Sequence, residues 1–117
     1  MEILVSQDQG RVPVTIFRLV GRINLGNVDE LVRKARQEFE GGARDLLIDL
    51  GEVPTITSAG IRALTEIYKL FNPFSLPKST HLKLLNPTAE VRRVLALVGF
   101  DGLIDVFETR QEALNAF

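Results

Sequence analysis

Leu46-Leu47-Ile48-Asp49-Leu50 is apolar at four of its five positions. A strand with one face in water alternates apolar and polar residues, so a run this apolar reads as a strand covered on both faces. Its continuation, Ser58 to Phe71, changes period. Ile61, Leu64, Tyr68 and Phe71 recur at helical spacing, and Ala63, Ile67 and Leu70 widen the stripe. So broad an apolar stripe predicts a deeply buried helix. A doubly covered strand leading into a buried helix is the signature of an α/β sheet.

The remaining chain can be read outward from this unit. Upstream, Ile3 to Val5 is a short apolar run, Gln7-Asp8-Gln9-Gly10 a polar turn, and Val12 to Val20 an alternating strand. Val12, Val14 and Ile16 face one side, and Thr15, Phe17 and Leu19 the other. So short a connection predicts an antiparallel hairpin, and Pro13 favours an edge position near the start of its second strand. Val28, Leu31, Val32, Ala35 and Phe39 then mark a helix, with Asn27 and Glu30 spaced as a capping box and Gly41-Gly42 as the stop. Downstream, Asn72 to Thr80 holds two prolines and no periodicity and reads as a loop, which either packs on the core or joins an interface through Phe74 and Leu76. His81 to Leu85 is a strand. Asn86-Pro87 opens a helix lined by Val91, Val94, Leu95 and Val98 and stopped at Gly99. Ile104 to Phe107 is a last strand, and Thr109 with Glu112 caps a final short helix ending near Phe117.

The order is β-β-α-β-α-β-α-β-α, an α/β single domain over 1–117 with a mixed, mostly parallel sheet and an N-terminal hairpin. A chain of 117 residues suffices for one core. With 45% hydrophobic and 25% charged residues, it has the composition of a globular protein rather than a disordered one. The formal net charge of −1 argues against nucleic acid as a partner. Arg33, Lys34 and Arg36 share their helix with Asp29, Glu30 and Glu38, which describes a solvated face. The absence of cysteine removes disulfides, thiolate nucleophiles and thiolate metal sites. Met1 to Ser6 has no signal-peptide pattern, and no run approaches the ~20 apolar residues of a membrane span, so a cytoplasmic protein without membrane insertion is expected.

Tests for catalysis fail. His81 is the one histidine; a relay would need it beside a serine at a strand end, and it stands at a strand start instead, so it reads as a partly exposed polar residue. No ligand cluster suits a metal, no glycine-rich loop suits a phosphate cofactor, and no cofactor is expected. Asp49 stands at the ligand-binding end of its strand; it either serves a ligand there or accepts N–H bonds from the loop Gly51 to Thr57. Thr57 and Ser58 are both helix-capping types. Ser58, Ala59 and Gly60 leave the helix start open to close approach. Gly60 costs about 1 kcal/mol relative to alanine, which tight packing or a partner would have to offset. Ser58 either caps the helix or accepts a phosphate, which the helix N-terminus and Arg62 one turn on would stabilise.

In this setting the chain resembles the STAS domain, the family of bacterial anti-sigma factor antagonists and related modules. The resemblance rests on Val20-Gly21-Arg22-Ile23-Asn24, on Leu46 to Leu50, on Ile56-Thr57-Ser58-Ala59-Gly60-Ile61-Arg62, and on Asn86-Pro87 through Val98-Gly99-Phe100 and Ile104 to Phe107, in that order. It implies a regulatory protein, not an enzyme, that binds an anti-sigma factor or serine kinase and is released from it when Ser58 is phosphorylated. Asn24, Thr57, Ser58, Ala59, Gly60, Ile61 and Arg62 are then the partner-binding positions, and ATP belongs to the kinase. The chain departs from the family at two places. Thr57 stands where many phosphorylated members carry Asp, and Asn24 where Asp is common. Both changes remove a negative charge, which gives weight to an alternative: a constitutive STAS interaction subunit of a transporter or signalling scaffold, without phosphorylation. Two weaker readings are a small-ligand binder, with a pocket near Asp49 and Thr57, and an enzyme using His81 or Asp49 with a second titrating group.

Overall fold

A computed structural model describes residues 1–117. Five strands form one sheet in the order of the chain: β1 (Glu2–Gln9), β2 (Pro13–Val20), β3 (Leu46–Glu52), β4 (Leu82–Leu85) and β5 (Asp105–Phe107). β1 and β2 are antiparallel, and every later pair is parallel. The helices are α1 (Val28–Glu40), α2 (Ser58–Leu70), α3 (Ala89–Leu97) and α4 (Arg110–Ala116). The expected α/β order is therefore present, with a single 3-10 turn added at Phe100–Gly102.

The sequential strand order explains the layering. Successive crossovers of one hand that always step the same way put their helices on one face. Val28, Leu31 and Ala35 of α1, Ala63, Leu64 and Ile67 of α2, and Val91 and Leu95 of α3 share a core with Phe17, Leu19, Leu46, Ile48, Leu50, Leu82 and Leu84. α4 follows the last strand and covers the opposite face, where Ala113 and Leu114 pack on Val14, Ile16, Leu47 and Leu85. β3 is thus buried on both sides, as its composition requires. Each fully buried Leu, Ile or Phe contributes about 1.5–3 kcal/mol from apolar area.

Several local expectations change. Gln7 to Gln9 is strand rather than turn, with Gln9 opposite Pro13; the reversal occupies the three residues between them. β2 is internal, but its pairing with β3 begins only at Thr15, so the missing N–H of Pro13 falls outside that ladder. Asn27 does not make the capping box with Glu30. Its side chain instead bridges the loop before α1, accepting from Asn24 N at 3.0 Å and donating to Arg22 O at 2.8 Å. Asn86 does not cap α3 either; it lies at φ 49°, and Thr88 is the cap, accepting from Val91 N at 3.4 Å and donating to Val53 O at 2.9 Å. Thr88→Ala removes both bonds and is expected to cost about 1 kcal/mol, read as a lower urea midpoint at unchanged slope. Of the expected box of Thr109 with Glu112 one half forms: Thr109 caps α4, accepting from Glu112 N at 3.3 Å, but the Glu112 carboxylate accepts from the Thr109 hydroxyl at 2.8 Å instead of from the Thr109 N–H.

The loop before β4 is held by its polar residues. Buried Asn72 donates to Leu76 O at 2.7 Å and accepts from Leu76 N at 3.2 Å, and buried Ser79 donates to Phe71 O at 3.0 Å. Phe74 stays 78% exposed at the tip, at the end of the sheet away from Ser58. No helix is long and apolar enough to cross a membrane.

Candidate functional site

Two loops leave the C-terminal ends of adjacent parallel strands and run side by side. Gly21 N donates to Glu52 O at 3.0 Å, Ile23 and Ile56 form a parallel bridge, and Thr57 N donates to Ile23 O at 3.2 Å. This lacing carries Asn24 beside the start of α2. Asn24 is exposed, and its Oδ1 accepts from Gly26 N at 2.9 Å.

At the start of α2 the backbone is extended at Thr57 (φ −94°, ψ 175°) and turns helical at Ser58. Thr57 is the N-cap residue by position, but its side chain caps nothing; Oγ1 points back to Ile23 O at 3.4 Å. The N–H groups of a first helical turn have no acceptor within the helix, so those of α2 stay open to an external one. The Ser58 hydroxyl is exposed and makes no hydrogen bond within the chain. Arg62, also exposed, pairs with no carboxylate. An uncommitted hydroxyl, open N–H groups and a free guanidinium thus meet at one helix end, where the dipole favours negative charge.

The other expected contact positions divide by orientation. Ala59 and Ile61 are partly buried against the core. Gly60 is buried, because a Cβ there would stand 2.5 Å from Ile56 Cγ1 and 2.8 Å from Ile23 Cγ2. Tight packing is therefore what requires this glycine, and its part in any interface is to set the height of the helix over the two laced loops. A groove of about 140 Å3 opens between α1 and α2 next to Ala59, with Val28, Val32 and Ala63 on its floor and Asp29, Arg62 and Glu66 at its rim. Leu25, 78% exposed, stands at its mouth. Sequence reasoning missed Leu25; the available signal was a lone apolar residue among the turn formers Asn24, Gly26 and Asn27.

The groups considered for catalysis lie apart. Asp49 Oδ1 accepts from Gly51 N at 3.0 Å, the local bonding expected of it. His81 Nδ1 and Asp45 Oδ1 are 2.8 Å apart, but both precede their strands and so sit at the opposite end of the sheet from Ser58. No group of three or more His, Cys, Asp or Glu side chains is placed to hold a metal.

The family model for the STAS domain matches residues 5–113. BtrV of Bordetella bronchiseptica, whose name assigns it provisionally to the anti-sigma factor antagonists, is 28% identical over 99 residues, spanning 85% of this chain and 82% of its own. An anti-sigma factor antagonist from Mycobacterium paratuberculosis superposes with a TM-score of 0.81 at 24% identity, over 98% of this chain and 92% of that one. The Bacillus cell fate determinant SpoIIAA in its phosphorylated form superposes with a TM-score of 0.70 at 16% identity, over 97% of both chains.

Proposed function

Because the chain belongs to the STAS domain family, we propose that it is an anti-sigma factor antagonist, binding an anti-sigma factor or serine kinase through the start of α2 and released when Ser58 is phosphorylated. The observation that carries this reading is the Ser58 hydroxyl, exposed and free of internal hydrogen bonds, with its neighbour Ala59 and Arg62 one turn on lining an apolar groove. The likeness to BtrV and to phosphorylated SpoIIAA supports it. A phosphate there adds about −1.5 to −2 charges. Free, the phosphoprotein is stabilised by the open N–H groups and by Arg62. Against a partner seated over Leu25 and the groove, the same charge would be desolvated, and the complex weakens. In this role the domain is a kinase's substrate and contributes no catalytic group, metal or cofactor.

Intact-mass spectrometry of the protein from its own cells, with fragmentation across Gly51 to Arg62, should place one phosphate on Ser58. Ser58→Asp should weaken binding to the modifying kinase about tenfold, through charge placed in the interface. Ser58→Ala should bind as the parent does and take up no phosphate. Thr57 and Asn24 favour a second reading, a constitutive interaction subunit, since by the family resemblance many phosphorylated members carry Asp at the first position and Asp is common at the second, and this chain has neither charge. On that reading Ser58 stays unmodified across growth conditions and Ser58→Asp binds normally.

A further inference from the structure

The two edges of the sheet are built differently. β5 is three residues long, and its Asp105 is tied to Lys78 at 2.8 Å and Lys83 at 3.4 Å. β1 runs for eight residues in unbroken register with β2, and nothing pairs with its outer edge. Soluble proteins blunt such an edge with lysine, proline, a bulge or a covering segment. Glu2-Ile3-Leu4-Val5-Ser6-Gln7-Asp8-Gln9 has no lysine or proline, its two charges, Glu2 and Asp8, stand near its ends, and its register shows no shift. Leu4 and Val5 are 41% and 36% exposed on it.

We propose that this edge is an interface, and that its occupant is β1 of a second copy of this chain, antiparallel across a two-fold axis at Leu4. The strand's own pattern selects the occupant and the register. Centred on Leu4, the pairing sets Leu4 against its copy, Ile3 against Val5 and Glu2 against Ser6. Apolar residues meet apolar ones, and no like charges oppose. Centred on Val5, it sets Glu2 against Asp8 twice, which cross-strand repulsion disfavours. Centred on Ser6, it sets Leu4 against Asp8 and Ile3 against Gln9. The two faces agree with the first choice. Leu4 lies opposite Arg18, on the face where α4 covers Val14 and Ile16 and leaves Leu4 bare, so the two Leu4 side chains cover one another. On the other face the copy's Val5 would lie against Ile3, at the foot of a shallow polar groove that Glu30, Arg33 and Lys34 of α1 also line. β1 is two strands from β3, about 10 Å, so the pairing leaves the Ser58 end of the molecule free. A single strand pair is a small interface, and the dimer is a weak, exchanging one.

Sedimentation equilibrium of the full chain, from low micromolar to near-millimolar concentration, should show reversible dimers. Leu4→Lys and Leu4→Glu, each confirmed as folded by circular dichroism, should each raise the dimer dissociation constant at least tenfold. Mixed in equal amounts, they should form heterodimers. A single-chain mass at every concentration overturns the proposal, and so do dimers indifferent to either charge or a mixture that stays monomeric. Should the variants fail to fold, amide exchange of the unaltered chain decides. Protection of β1 that rises with concentration supports the pairing, and protection independent of concentration overturns it.

Discussion

Gly60→Val is expected to destabilise the protein by roughly 3 kcal/mol, the upper range for overpacking a filled site. Replacing a helical glycine ordinarily gains up to about 1 kcal/mol, so the sign of the effect is diagnostic. A Cβ at residue 60 lies 2.5 Å from Ile56 Cγ1 and 2.8 Å from Ile23 Cγ2, with Ile56 Cδ1 at 3.0 Å. Two of these atoms are γ carbons of buried β-branched side chains, which could move away only by a χ1 change into space the core already fills. Both isoleucines are buried, and they form the bridge that laces the two site loops together. The strain therefore falls on the site itself, and either α2 lifts or the bridge opens. Urea unfolding should show a lower midpoint, and thermal unfolding a drop on the order of 10 °C. Gly60→Ala should lose less, its propensity gain offsetting part of the clash. A variant as stable as the parent would show that the helix start has room to spare.

Asp105→Asn is expected to cost roughly 2 kcal/mol, mostly through a residue other than the one replaced. Lys83 is 3% exposed on β4, and its ammonium has Asp105 Oδ2 at 3.4 Å and the rings of Phe107 and Phe117 at 5.9 and 5.2 Å. Removing the carboxylate leaves the buried cation with two ring faces and no counter-charge, and an unpaired buried charge is penalised more than the pair is rewarded. Lys83→Met should be nearly neutral, and the double variant should recover most of the loss. Burial raises the Asp105 pKa, but the hydrogen bond and charge of Lys78, with those of Lys83, outweigh it and hold the folded value below the ordinary 3.8. A depressed folded pKa means that the pair's stabilisation is complete above the unfolded value and is lost as pH falls through the folded one. Stability measured from neutral pH downward should accordingly lose part of its acid limb in Asp105→Asn.

What the amino-acid pattern could reveal followed from burial. Leu46 to Leu50 and the stripe of α2 are buried deeply enough for their period and composition to declare them. β1 was cut short because its second half, Ser6 to Gln9, is exposed on an edge strand, and residues wet on both faces carry no alternation. Caps were misassigned wherever two candidates stood close together. Asn86 and Thr88 satisfy the same N-cap preference, and only the backbone, left-handed at Asn86, separates them. Asn27 met the spacing of a capping box, but its amide served the loop before α1 instead. At the site, Ser58, Thr57 and Arg62 were legible because a helix start concentrates recognisable chemistry. Leu25 was not, since its place at the groove depends on where α1 and α2 meet.

The helices differ in how their first turns are finished. α3 and α4 are closed by the hydroxyls of Thr88 and Thr109, whereas α1 and α2 receive no side-chain cap from Asn27 or Thr57. Both unfinished turns belong to the pair of laced loops. The helix starts that no side chain caps are therefore gathered at one corner of the molecule. Whatever supplies an oxygen there, from water, a partner's side chain or a transferred group, completes a turn that the chain's own side chains leave open.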